Sequence, residues 1–422
     1  APAFEGESLV ARPFAVRFFV AHTGNGFEAM PGGLAMTVDP ARAVALSAPD
    51  GHTRDVWVLS DAQQAPHVSL WRPKLENARV ERSQRVVQSR VADDLYWLGR
   101  YSERADWTMR MLRGALRRVA EDSGPVDGLG GVRRCLDMRL TDPEMADTGV
   151  RRISDAGDVE SRCLDLVARA RSPRTLARTL EGLYQVSYLV RDRLSHEAWQ
   201  TLSRFRPGDP WMRALSAAGP GALLDLLDEG LAALSSFNGL THENMTRNYG
   251  WSFLDMGRRL ERAYNLSEAI LTLFIPPPDP EEETSSLLLL LELADSFITY
   301  RSRYRLDPML ALVFDLLLLD EANPRALAYQ LAAISKHLEA LPDARHGVSL
   351  AEERRLILSL LTSIRLADVM AIAEEADRAT LERLMREQLQ VLPELSNAVG
   401  RHYFNLTEET PHRALTRIEP RP

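Results

Sequence analysis

The chain has 422 residues, of which 45% are hydrophobic and 26% charged, so it can bury two or three cores and is not a disordered sequence. Its net charge of −8 argues against a general binder of nucleic acid or of anionic membranes. Cys135 and Cys163 give neither a disulfide framework nor the spacing of a zinc site, so we expect a reducing, cytoplasmic environment. The most hydrophobic stretch, residues 287–293, contains Glu292 and predicts a buried helix, not a membrane span.

Short β-rich runs distinguish the first seventy residues from the rest. Residues 14–20 and 56–59 are rich in β-branched and aromatic side chains, and the sequence His-Thr-Gly-Asn-Gly at residues 22–26 is typical of a hairpin turn. A further strand is predicted up to residue 38, interrupted by the Met-Pro-Gly-Gly-Leu of residues 30–34. We predict three or four strands within about residues 10–62, which is small for an independent sheet. The first residue is alanine, as expected for a processed chain or a piece of a longer one.

Helical periodicity dominates from about residue 83 onward. Apolar residues recur at three- and four-residue steps, as at Val91, Leu95 and Leu98. Breaks rich in glycine or proline are predicted at residues 121–149, 205–221 and 276–280. We therefore predict a mostly α protein: a large all-helical bundle of at least eight helices with two related halves, about residues 83–240 and 241–420, preceded by a small N-terminal β-sheet fragment.

A seven-residue frame, G-R-x-x-E-R-A, occurs twice, at residues 99–105 and at residues 257–263, an offset of 158. Both copies lie within predicted helices. A glycine in the middle of a helix costs about 1 kcal/mol relative to alanine, so Gly99 and Gly257 need a reason in packing. We predict that the two helices are neighbours related by approximate two-fold symmetry and that they approach closely at these glycines.

The arginines and glutamates of the frame allow two interpretations. They can form structural ion pairs three residues apart on one helix, which contribute a few tenths of a kcal/mol when exposed. Alternatively, they can converge on an interior polar site in which guanidinium groups hold a carboxylate or a phosphate. Tyr96 and Trp107 are predicted on the same face as Arg100 and Glu103, which is unusual for a purely solvated surface.

The segment S-R-V-A-D-D-L-Y-W-L-G-R-Y-S-E-R-A at residues 89–105 resembles the opening of the bacterial Alpha-E family, an all-helical domain named for its E-R signature. Later segments resemble the same family in order along the chain, at residues 190–195, 248–251, 298–304, 323–325 and 402–404. Together they cover about residues 83–410. The resemblance and the repeated frame give these candidate ligand-binding residues: Arg100, Glu103, Arg104, Arg191, Asp192, Arg258, Glu261, Arg262, Tyr300, Arg301 and Arg303.

The N-terminal strands, within about residues 1–72, resemble the tail of a circularly permuted ATP-grasp ligase, which commonly precedes or is fused to Alpha-E domains. Enzymes of that class activate a carboxylate as an acyl phosphate and transfer it to an amine. The resemblance makes Arg17, Arg54 and Asp55 candidates for contact with nucleotide phosphates. Met36 stands where the family usually has a basic residue, and Arg54 where it has lysine. ATP and magnesium are therefore expected only with a complete ATP-grasp domain, and no cofactor is expected for this chain alone.

Two functions follow from these observations. The first is a component of an ATP-dependent amide-bond or peptide-bond ligase, whose missing ATP-grasp portion is supplied in cis or in trans and whose helical domain gives an acceptor or partner site. The second is a non-catalytic helical scaffold for ligase, transglutaminase-like or Ntn-hydrolase partners, as the family context implies. The sequence has no H-E-x-x-H motif and no evident Ser/His/Asp or Cys/His constellation, so it predicts neither a metal site nor a catalytic residue. Neither nucleic acid nor a membrane is expected as a partner.

Overall fold

The computed structural model describes residues 2–5, 8–11, 14–22, 26–30, 32–37, 53–56, 58–59, 87–120, 129–140, 156–169, 175–342, 350–374 and 378–404. The chain divides into two compact units, one over residues 1–83 and 419–422 and the other over residues 84–418. The protein is mostly α, as predicted, with a large helical bundle in the second unit and short β-strands in the first.

Seven strands are described in the N-terminal unit: β1 (Pro2–Glu5), β2 (Ser8–Ala11), β3 (Phe14–Arg17), β4 (Val20–His22), β5 (Phe27–Ala29), β6 (Gly33–Thr37) and β7 (Thr53–Val56). They form three antiparallel sheets, in the orders β1-β2, β3-β6-β7 and β4-β5. The pairing of β4 with β5 confirms the predicted hairpin. Five strands, β3 to β7, lie within the predicted range, so the predicted number of three or four is too low. In addition, β1 and β2 lack the run of β-branched residues by which strands are recognised.

Fifteen α-helices are described in the second unit, which confirms the prediction of at least eight. They are α1 (Ser89–Ala120), α2 (Gly130–Leu140), α3 (Ala156–Leu164), α4 (Leu176–Leu189), α5 (His196–Ser203), α6 (Pro210–Ala217), α7 (Pro220–Asn244), α8 (Tyr249–Phe274), α9 (Pro280–Leu293), α10 (Phe297–Tyr304), α11 (Leu310–Phe314), α12 (Leu327–Ala340), α13 (Glu352–Arg365), α14 (Val369–Ala373) and α15 (Arg378–Val399). The break predicted at residues 205–221 contains α6, and much of the break predicted at residues 121–149 lies outside the described residues.

The two longest helices, α1 and α8, form the centre of the bundle. Every residue of α1 from Asp94 to Leu112 is buried, and α8 is buried over most of its length. Neighbouring helices enclose them, with α4 and α7 against α1, and α12 and α15 against α8. A helix buried on every face carries its polar side chains into the interior, where each needs a partner.

The two copies of the repeated frame meet where α1 crosses α8. A Cβ atom added to Gly99 would lie 2.0 Å from the carbonyl oxygen of Leu254, and one added to Gly257 would lie 2.0 Å from that of Tyr96. Leu254 follows Tyr96 by the same 158 residues that separate the glycines, so the contact is reciprocal. The predicted close, approximately two-fold contact between the helices is therefore confirmed.

A candidate functional site in a buried arginine–glutamate network

The two Glu-Arg pairs of the repeat bond to each other across the helix crossing. Arg262 donates from Nε and from Nη2 to the two carboxylate oxygens of Glu103, both at 2.6 Å. Arg104 donates in the same way to Glu261, at 2.6 and 3.1 Å. Each guanidinium therefore makes a two-pronged bond to the glutamate of the other helix, the strongest geometry for such a pair. Equivalent positions exchange partners, so the ion pairs obey the same approximate symmetry as the glycines.

Arg100 reinforces one of these exchanged pairs. Its side chain is fully buried, and Nε donates to the Oε2 atom of Glu261 at 2.8 Å. Nη1 donates to the hydroxyl of Ser396 on α15 at 3.1 Å, and Tyr96 donates to the same hydroxyl at 2.9 Å. The guanidinium also lies 4.8 Å from the ring centroid of Trp97. The pair that forms is thus between helices, and not the Arg100–Glu103 pair within one helix that the sequence allowed.

Arg258 is the symmetry-related arginine, and its surroundings differ. Its closest hydrogen bond is a long one, 3.4 Å from Nη2 to the hydroxyl of Thr241, and the Oδ1 atom of Asp255 lies 3.7 Å from Nη1. The buried Nε atom has no hydrogen-bond partner among the described residues. The approximate symmetry therefore ends at this position, because Arg100 meets Ser396 and the exchanged glutamate whereas Arg258 meets only weak partners.

The pKa shifts follow this difference in partners. Burial alone would raise the pKa of the Glu261 carboxyl, but the charges of Arg104 and Arg100 outweigh burial and hold this pKa at about 2. Burial alone would also raise the pKa of the Glu103 carboxyl, but the charge of Arg262 outweighs burial, so this pKa is lowered as well. Burial lowers the pKa of Arg258 to about 10, because the attraction of Asp255 does not compensate for the lost hydration. At neutral pH all of these groups remain charged.

A further set of ion pairs connects the network to the surface. Arg325 Nη1 lies 3.9 Å from Glu103 Oε1, and Arg325 Nη2 donates to the Oδ2 atom of Asp295 at 3.2 Å. Arg110 pairs with both Asp106, at 2.8 Å, and Asp295, at 3.2 Å. The Asp295 side chain is 54% exposed, so the chain of ion pairs that begins at the buried helix crossing ends in solvent.

Another set of polar contacts, centred on Asp255, lies on the flank of α8. Asp255 is buried and its Oδ2 atom is 2.9 Å from Nε2 of His337 and 3.2 Å from Nε of Arg259. Burial opposes ionisation of this carboxyl, but the hydrogen bond with His337 and the charge of Arg259 outweigh it and hold the pKa well below its usual range. This carboxylate is therefore shared among several partners, which explains its weak hold on Arg258.

Six of the predicted site residues meet in this network, and the five others lie elsewhere. Arg191 donates to the backbone carbonyl of Tyr188 and lies 4.3 Å from the centroid of that ring, while Asp192 pairs with Arg193 at 3.2 Å. Both predicted residues are on the exposed turn that follows α4. Their partners come from the same segment, so they do not extend the buried network.

The remaining three predicted residues are on α10. Tyr300 is buried, and its hydroxyl donates to the carbonyl of Asp307 at 3.0 Å, which fixes the loop after the helix. Arg303 is exposed and pairs with Asp320. Arg301 is exposed and lies 5.8 Å from the ring centroid of Phe297. Trp107, expected beside Arg100, instead lines a small cavity with residues of α2.

The three phosphate candidates of the N-terminal unit lie on one sheet. Arg17 ends β3, is exposed, and pairs in register with Leu34 of β6. Leu34 in turn pairs with Asp55 of β7, so Arg17 and Asp55 occupy one row across three strands. Arg54 occupies the adjacent row, opposite Ala35. The register therefore brings two of these positions together within the sheet.

Sequence reasoning missed several members of the network. Asp255 precedes Arg258 and Arg259 by three and four residues, a spacing that could have identified it as their partner. Arg325 lies in one of the segments that carried the family resemblance, but no feature of that segment indicated its partner. No sequence pattern indicated Ser396, because it contacts Arg100 although the two residues are 296 positions apart along the chain.

In the described part of the chain, no group of three or more His, Cys, Asp or Glu side chains is placed to hold a metal ion. Nor does any helix there have both the length and the apolar character needed to cross a membrane.

Fold and network together define a helical-bundle domain organised around a doubled Glu-Arg pair. The chain belongs to the Alpha-E family: the model of this family, described as a predicted alpha-helical domain with a conserved ER motif, matches residues 87–404. The exchanged bonds described above give a physical reason for an ER motif, since each copy supplies the acid for one pair and the base for the other.

Two mycobacterial proteins illustrate the similarity to known sequences. The uncharacterised protein Rv2567 of Mycobacterium tuberculosis is 27% identical over 407 residues, which is 93% of this chain and 45% of that protein. The uncharacterised protein Mb2597 of Mycobacterium bovis is similar with the same identity and coverage. The chain thus spans less than half the length of these relatives. No solved structure matches the chain.

Proposed function

We propose that this chain is a component of an ATP-dependent ligase system that joins a carboxylate to an amine, and that its helical unit supplies the site for the acceptor or for a partner protein. The proposal is supported by the resemblance of the N-terminal strands to an ATP-grasp tail and by the exposed apolar side chains of those strands. The buried arginines of the helical unit are paired within the protein. The guanidinium groups of Arg104 and Arg262 are each bound by a carboxylate, and that of Arg100 by a carboxylate and Ser396. Cations already bound in this way hold the helices together and are not available for phosphate.

On this proposal the nucleotide is held by an ATP-grasp domain to which the N-terminal strands contribute. Large apolar side chains of that unit are exposed, namely Phe14, Phe18, Phe19, Phe27 and Leu59. Sheets of two and three short strands are too small to cover such side chains. An exposed apolar surface of this kind is typical of a site that packs against another part of a protein. The missing portion, in cis or in trans, would cover them and would bring ATP and magnesium to Arg17, Arg54 and Asp55.

An ADP-release assay tests this division of labour. The chain would be assayed with a panel of amino acids and amines, first alone and then with the ATP-grasp portion restored by fusion or by co-expression. We expect no ADP release from the chain alone, and release that depends on both substrates after restoration. Micromolar ATP binding by the chain alone would contradict the division. No release from the restored protein with any pair of substrates would contradict the ligase function.

A scaffold for transglutaminase-like or Ntn-hydrolase partners is the second candidate function. The exposed face of α10 favours it, since Phe297 and Ile298 are exposed beside Arg301 and would provide a contact surface without any chemistry. Titration of the chain with purified partner proteins in a calorimeter distinguishes the two. Saturable binding to a partner with no ADP release from the restored protein is the result expected of a scaffold.

A further inference from the structure

A groove opens on the surface of the helical unit between the second half of α1, the end of α9 and the start of α10. Its volume is about 460 Å³, and it is lined by Arg113, Arg118, Leu288, Leu291, Glu292, Asp295, Phe297 and Ile298. Binding sites for small molecules and short peptides have volumes of about 300–1,000 Å³, so the groove is large enough for a few side chains.

Half of the lining is apolar, and this half ranges from Leu291, which is buried, through the half-buried Leu288 to the exposed Phe297 and Ile298. Leu288 and Leu291 come from α9, while Phe297 and Ile298 come from the first turn of α10, where Ile298 is 83% exposed. An isolated exposed isoleucine is ordinary, but an exposed group beside an apolar concave surface is typical of a contact site. The groove can therefore bury a large apolar side chain of a ligand.

The charges around the groove favour an acidic ligand. Arg113 pairs with Asp228 at 2.9 Å and Arg118 pairs with Glu292 at 2.7 Å, so both cations have a carboxylate partner within the protein. Arg301 differs from them, because its guanidinium lies 5.8 Å from the Phe297 ring centroid and has no carboxylate partner among the described residues. It is exposed one helical turn after Phe297, which lines the groove, and can donate to a carboxylate of a ligand.

The groove is also connected to the arginine–glutamate network. Asp295 lines it with a left-handed backbone, φ 51°, which a residue other than glycine rarely adopts without support. That support comes from Arg110 and Arg325, each 3.2 Å from its carboxylate. Because Arg325 also faces Glu103, the buried motif fixes the end of α9 that shapes the groove.

We propose that this groove binds a peptide segment in which a large apolar side chain lies next to a carboxylate. The apolar side chain packs against Leu288, Phe297 and Ile298, and the carboxylate pairs with Arg301. The groove is then the acceptor or partner site of the helical unit, and this role rests on the proposed function. The binding of the peptide itself does not depend on the proposed function.

Fluorescence anisotropy with two labelled peptides tests the proposal on the full chain. The probes are acetyl-Ala-Leu-Glu-Phe-Glu-Ala-amide and the same peptide with glutamine in place of glutamate. We expect the acidic peptide to bind about tenfold more tightly, as one charge-assisted contact provides. Arg301→Gln should abolish this preference and leave the affinity for the neutral peptide unchanged. Ile298→Ser should weaken the binding of both peptides.

Arg386→Gln is the matched control, because Arg386 is an exposed arginine on α15 that pairs only with Glu382 among the described residues. It should leave both affinities unchanged, and circular dichroism should show equal helicity for all variants. A preference that persists in Arg301→Gln, or no saturable binding of either peptide up to about 1 mM, would overturn the proposal. Peptide binding without ligation by the restored protein would overturn the proposed function alone, and ligation without peptide binding would overturn the groove alone.

Discussion

Replacing Gly99 by alanine tests the close contact between α1 and α8. The new Cβ atom would lie 2.0 Å from the carbonyl oxygen of Leu254 and 2.9 Å from the backbone nitrogen of Arg258. Both atoms belong to the backbone of the opposite helix, so no side chain can rotate to relieve the clash. Overpacking of this kind lowers the free energy of unfolding by about 3 kcal/mol, and the better helix propensity of alanine offsets about 1 kcal/mol of this loss. We expect the free energy of unfolding to fall by about 2 kcal/mol or more.

Gly239→Ala provides the matched control within the same bundle. Gly239 is also inside a long helix, α7, but nothing lies within 4 Å of its added Cβ. The same substitution should therefore raise the free energy of unfolding by about 0.5–1 kcal/mol, so the two variants differ in sign. Urea denaturation followed by circular dichroism at 222 nm measures both. If Gly99→Ala were as stable as Gly239→Ala, the reciprocal helix contact would be wrong.

Three further predictions concern the buried charges and thiols. Arg104→Met should lower the free energy of unfolding by about 3–5 kcal/mol, because it removes one of the partners of the buried Glu261 carboxylate. Urea denaturation should show a much smaller decrease for Arg386→Met on the surface. The pKa of Glu261 is lowered from 4.5 to about 2 in the folded chain, so the unfolded chain binds the proton more tightly. The resulting stability is complete above about pH 4.5 and is lost as the pH falls towards 2; Glu261→Gln should therefore flatten the measured pH dependence of unfolding in this window. Burial raises the pKa of Cys135 and of Cys163 to about 12, so iodoacetamide at pH 8 should label these thiols only after denaturation, and rapid labelling of the native chain would contradict the packing around them.

The sequence by itself determined the helical class and the central contact. Apolar steps of three and four residues predicted the long helices, because that period depends only on the geometry of a helix. The two mid-helix glycines predicted a close approach, because the cost of glycine in a helix needs compensation. The strands β1 and β2 escaped prediction, because they lack the runs of β-branched and aromatic residues that mark the segment of β3.

Only the tertiary structure decided which charges pair. Identical frames on α1 and α8 allow bonds within each helix or between helices, and the crossing of the two helices selects the exchange between Glu103 and Arg262 and between Arg104 and Glu261. It also separates two arginines that the sequence makes equivalent, since Arg100 meets Ser396 and Arg258 does not. The physical reason is that periodicity is local, whereas the partner of a buried charge is contributed by whichever distant segment packs beside it.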